Sequence, residues 1–62
     1  MSSEQDESVR RLRHDLSNPL AAMLAETQLL LLRAESLDAE TVRSLREIES
    51  LARRMREILQ SS

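Results

Sequence analysis

Apolar residues recur along this chain at helical spacing. Val9, Leu12 and Leu16 open a stripe at intervals of three and four, and Leu20, Met23, Leu24, Thr27, Leu30 and Leu31 continue it as a wider band. The pattern predicts a first helix over about residues 5–34. A band of this width suits a globular bundle better than a narrow two-stranded seam. Pro19 lies inside the band. It removes the backbone hydrogen bond to the carbonyl of Asp15, and its ring presses on that turn. A kink or local loosening is expected there, with a helix boundary near Asn18 as the other reading. The segment Glu-Ser-Leu-Asp at 35–38 then breaks the pattern. Ser36 and Asp38 are both candidate N-caps, and Glu40 adds negative charge in the following first turn. A second helix is predicted over about residues 39–59, with Leu45, Ile48, Ala52, Met55 and Leu59 as core positions and Val42, Leu51 and Ile58 broadening that face. Glu49 and Arg53 form an i,i+4 pair on its polar side.

A short connection makes two long helices antiparallel neighbours. Each would keep uncovered apolar surface after pairing with the other. The expected fold is therefore all-α: an antiparallel helical hairpin that homodimerises into a four-helix bundle.

Composition supports this picture. The chain has 62 residues, enough for a single domain over 1–62 but too few to bury a sizeable core alone. There is no cysteine, which excludes a disulfide and a Cys–His zinc cluster. One histidine cannot build a structural metal site, so no metal is expected, and a partner chain is the expected source of stability. Glycine and aromatic residues are absent, and there is one proline, which fits helices and makes little provision for strands. All nine basic residues are arginine, and the net charge is −2. That balance, without stacking aromatics, argues against nucleic-acid binding. No apolar run is long enough to span a bilayer, the Leu29–Leu32 run and residues 20–25 included, and the polar, acidic residues 1–7 are unlike a signal peptide. The chain reads as a soluble, cytoplasmic piece with no direct membrane insertion, whether its parent protein is soluble or membrane-anchored. A membrane-surface helix would want an aromatic-bearing apolar face.

The candidate chemistry lies at His14. At about 100° per residue, the stripe of Val9, Leu12 and Leu16 falls roughly opposite this side chain. A core histidine would sit among the leucines; an exposed one of no special function fits the geometry as well as a reactive one. Asn18 lies one turn on, close to the same face, and Ala21 and Ala25 continue the line. Small side chains there leave room for a partner beside the imidazole, although alanine also simply favours helix. Leu29 and Leu32 fall off the core stripe, either as part of a docking patch or as part of a bundle apolar all round near its turn. An exposed neutral imidazole is a competent nucleophile near neutral pH. A carboxylate at its other ring nitrogen would hold one tautomer. Asp15 follows directly, but adjacent residues do not share a helix face, so it must lean sideways; a solvated carboxylate is the other reading.

The run His14-Asp15-Leu16-Ser17-Asn18-Pro19-Leu20 resembles the H-box of the HisKA-type sensor histidine kinases: His, an acidic residue, Leu, a variable residue, Asn or Thr, Pro, Leu. All six specified positions match, and Ala21-Ala22-Met23 continues the likeness. The Arg/Glu-rich second helix also resembles that of the family, so the likeness covers about residues 8–59. It implies the dimerisation and histidine phosphotransfer domain of a two-component kinase. By this resemblance His14 is the phosphoacceptor, modified on a ring nitrogen by ATP and relieved of its phosphoryl group by an aspartate of a response-regulator receiver domain. Asp15 matches the acidic residue that assists autophosphorylation. Asn18 matches the Asn/Thr position of kinase contacts and, in bifunctional members, of the water that dephosphorylates the regulator. Pro19 matches the helix-bending proline. Ser17 stands at the variable position and has no chemical role; with Ala21 and Ala25 it belongs to the candidate docking surface. Arg13 stands where the family more often has a small residue, and either steers a phosphate or an acidic pocket or is merely solvated.

The family's ATP-binding domain would follow the second helix. This chain has no glycine and so no Gly-rich phosphate loop. ATP and Mg2+ are expected only on that separate catalytic domain, and the chain alone is expected to be an inactive fragment of the kinase. Its expected partners are a second copy, the kinase's ATP-binding domain and a response regulator. The alternative is a purely structural dimerisation module of a degenerate kinase, in which His14 is incidental. The joint presence of His14, Asp15 and Asn18 argues against it, since a scaffold needs none of them.

Overall fold

A computed structural model describes residues 3–61. Residues 1, 2 and 62 of the expected domain lie outside the described residues. Two helices form an antiparallel hairpin: α1 spans Ser3–Leu31 and α2 spans Ala39–Ser61, joined through a 3-10 turn at Ala34–Ser36. No strand is present among the described residues.

Helix α1 runs through Pro19 without interruption. The apolar stripe on both sides holds the helix together where one backbone bond is missing. Its end differs from the expectation of about residue 34. The backbone tightens after Leu31: the amide of Arg33 donates to the Leu30 carbonyl at 3.0 Å, that of Ser36 to Arg33 at 2.9 Å and that of Leu37 to Ala34 at 3.2 Å. These three-residue steps are 3-10 bonds, a common way to finish a helix. Ser36 does not cap α2, because its hydroxyl donates back to the Arg33 carbonyl at 2.8 Å. The carbonyl of Asp38 instead accepts the first bond of α2, from the Val42 amide at 3.1 Å, which puts Asp38 in the N-cap position. Leu37 adopts an extended backbone and tucks half-buried beneath the turn. No described residue has positive φ, so this turn reverses the chain without glycine.

The hairpin core is narrow. Leu20 and Leu24 of α1 meet Ala52 of α2, with Leu59 packed against them. Leu20 is 3% exposed. Thr27 is buried beside them, and its hydroxyl donates to the Met23 carbonyl at 2.7 Å, so the polar atom is satisfied. Leu31, Val42 and Leu45 extend the seam half-buried toward the turn. Two of the expected core positions, Ile48 and Met55, face outward instead. Leu45, Ala52 and Leu59 recur every seven residues on the hairpin side, whereas Ile48, Leu51, Met55 and Ile58 form a second stripe at steps of three and four. The sequence pattern merges two stripes that the fold separates. Glu49 is likewise not on the far polar side. Its half-buried carboxylate accepts from Arg53 at 3.3 Å and, across the hairpin, from the Gln28 amide at 3.4 Å.

Helix α1 also carries a second apolar stripe: Val9, Leu12, Leu16, Met23 and Leu30 are exposed. The Cα positions span 51 × 14 × 12 Å, so a single hairpin offers no further layer to cover either stripe.

Candidate functional site

His14 lies on α1 near the open end of the hairpin. Three faces of α1 can be separated around it, taking about 100° per residue. The hairpin seam of Leu20, Leu24, Thr27 and Leu31 lies roughly 100° to one side. The second apolar stripe lies roughly opposite. His14 sits on the third, open face, and its side chain is 79% exposed.

Among the described residues the imidazole has one hydrogen-bonding partner. Its Nδ1 lies 3.5 Å from Oδ1 of Asp15, at the long limit of a hydrogen bond. Asp15 reaches it by leaning sideways, within an unbroken helix. The carboxylate is 66% exposed, so its pull on the ring is screened and modest. Its effect is directional: a carboxylate at Nδ1 favours the tautomer with the proton there and a lone pair on Nε2. In that tautomer the exposed imidazole has its nucleophilic lone pair at Nε2.

The other sequence-predicted residues spread along the same helix. Asn18 is exposed one turn on from His14, followed by Ala21 and Ala25, also exposed. Ser17 is exposed, but its hydroxyl donates to the Arg13 carbonyl at 2.6 Å and so turns onto its own helix. Arg13, Ser17, Asn18 and Ala21 form one wall of a groove of about 310 Å³; Arg56, Leu59 and Gln60 of α2 form the other. Only the hairpin register could place these α2 residues beside the H-box run. On the other side of His14, Glu7, Arg10 and Arg11 share a shallow cleft with the imidazole. Sequence reading passed over Arg10 and Arg11, although their spacing of four and three from His14 was a usable signal. Leu29 and Leu32 continue the open face toward the turn, and Leu32 is 82% exposed.

Residues 4–62 match the family model of the His Kinase A (phospho-acceptor) domain. The chain belongs to that family. No curated protein and no solved structure matches it. The HisKA hairpin is the dimerisation and phosphoacceptor module of histidine kinases in two-component signalling, and the two helices described above are this domain's fold. Among the described residues, no helix is long and apolar enough to cross a membrane.

Proposed function

We propose that His14 of this HisKA domain accepts a phosphoryl group on Nε2 and passes it to an aspartate of a response-regulator receiver domain. The observation that carries the reading is the exposed imidazole with Asp15 at Nδ1, which leaves Nε2 open. In the first step Nε2 attacks the γ-phosphorus of ATP held by the kinase's separate ATP-binding domain. The Nε2–P bond forms as the bond to the ADP oxygen breaks, and the ring proton leaves from Nδ1, beside Asp15. In the second step a regulator carboxylate attacks the same phosphorus and the imidazole departs. ATP and Mg2+ belong to the other domain. Asp15 orients the ring, Asn18 contacts the kinase domain or a dephosphorylating water, and the small-residue line of Ser17, Ala21 and Ala25 gives the regulator room to approach.

A second copy of the chain covers the outer stripes. Val9, Leu12, Leu16, Met23 and Leu30 of one hairpin, with Ile48, Leu51, Met55 and Ile58, close a four-helix core. The stripe on α1 lies opposite His14, so this dimer leaves both imidazoles in solvent.

The test is incubation of the chain with its cognate ATP-binding domain and ATP, followed by a chase with the receiver domain. An acid-labile label is expected on the chain and then on the regulator, and His14→Gln removes it to background. A His14→Gln chain that labels as well as the parent overturns the assignment. Dimerisation without any transferable label favours the purely structural module.

A further inference from the structure

Resting on the phosphoacceptor reading, we infer that Arg10 and Arg11 form a cationic cradle for the phosphoryl group once it is on His14. Both arginines line the cleft that contains the imidazole. They stand four and three residues before it, the spacings at which helix side chains are neighbours. The shared cleft brings the imidazole and both arginine side chains onto one surface. Neither arginine forms an ion pair among the described residues. Both guanidiniums are therefore available to an incoming charge.

Glu7 shares the cleft and opposes an anion. It stands seven residues before His14, about 10 Å along the axis, whereas the arginines stand at about 4–6 Å. Distance therefore favours the arginines. A phosphoryl group adds close to two negative charges and three acceptor oxygens, which planar guanidiniums pair with well. Arg10 and Arg11 act as positioning residues: they hold the phosphoryl oxygens while the Nε2–P bond stays intact.

Phosphoramidate provides a test that needs no kinase. Nε2 of His14 attacks its phosphorus, the Nε2–P bond forms, the phosphorus–ammonia bond breaks, and ammonia leaves as ammonium with the ring proton. His14 is the only histidine, so one residue carries the phosphohistidine, and 15N–31P coupling identifies the nitrogen. The readout is the 31P titration of the phosphohistidine in the 62-residue chain at low ionic strength. Neighbouring cations favour the dianion. Arg10→Gln with Arg11→Gln is expected to raise the titration midpoint by about half a pH unit, a modest shift because the site is exposed. Arg43→Gln with Arg46→Gln, the same charge change on α2, leaves the midpoint in place. Arg10→Lys with Arg11→Lys retains most of the parent value, and circular dichroism checks that all variants keep their helices. An unchanged midpoint in the Arg10/Arg11 glutamine variant overturns the cradle, and so does an equal shift in the Arg43/Arg46 variant. Failure of enzymatic labelling would count against the phosphoacceptor function and leave this measurement intact.

Discussion

An imidazole this exposed keeps its nucleophilic nitrogen open but gains little orientation from packing. In the proposed chemistry Asp15 supplies the orientation that packing does not. Asp15→Asn keeps the size of the side chain and removes its charge, so the preference for a proton on Nδ1 weakens. The initial rate of His14 labelling by the ATP-binding domain should fall on the order of 10²-fold, the lower end for positioned acid–base assistance. Circular dichroism should not change, because both side chains are exposed. At this scale the sequence was informative where residues are near in the chain. His14, Asp15 and Asn18 were legible because their relations are set by one helix. Arg56 and Gln60 were not, because their place beside Ser17 depends on how the two helices register. Arg10 and Arg11 were legible in principle, since the same helix sets their spacing from His14.

The helices themselves followed from periodicity, but their faces did so only in part. Both helices carry two apolar stripes, and a band that serves two interfaces looks like one broad face in sequence. Ile48 and Met55 were therefore read as core, although Ala52 and Leu59 hold the hairpin side. The end of α1 was misplaced because Ala34 is apolar and half-buried in the 3-10 turn, so burial there does not report α-helix. The distinction between seam and open face is measurable. Leu24→Ala should destabilise the folded chain by about 2–4 kcal/mol, as expected for truncating a buried leucine. Leu32→Ala should change stability by less than about 0.5 kcal/mol, since its side chain already lies in solvent. Urea denaturation at a fixed chain concentration checks both.

For the whole molecule, the narrow hairpin core and the uncovered stripes belong together. So small a core is not enough to stabilise 62 residues, and in the proposed dimer a second hairpin supplies the missing layer. Sedimentation equilibrium should give a mass about twice the 7.1 kDa of one chain. Leu16→Asp with Ile48→Asp places charges on the outer stripes and should yield the monomer, with a loss of helicity that deepens on dilution. His14 lies away from the outer stripe of α1, so the proposed dimer and the proposed phosphoryl chemistry use different faces of one helix. The proposed chemistry rests in turn on Nε2 being the reactive nitrogen. The direct measurement is 15N–31P NMR of the chain after phosphorylation by its ATP-binding domain. The account predicts that phosphorus couples to Nε2 of His14 and that Nδ1 remains the nitrogen facing Asp15. Phosphorus on Nδ1, or on any residue other than His14, would contradict it.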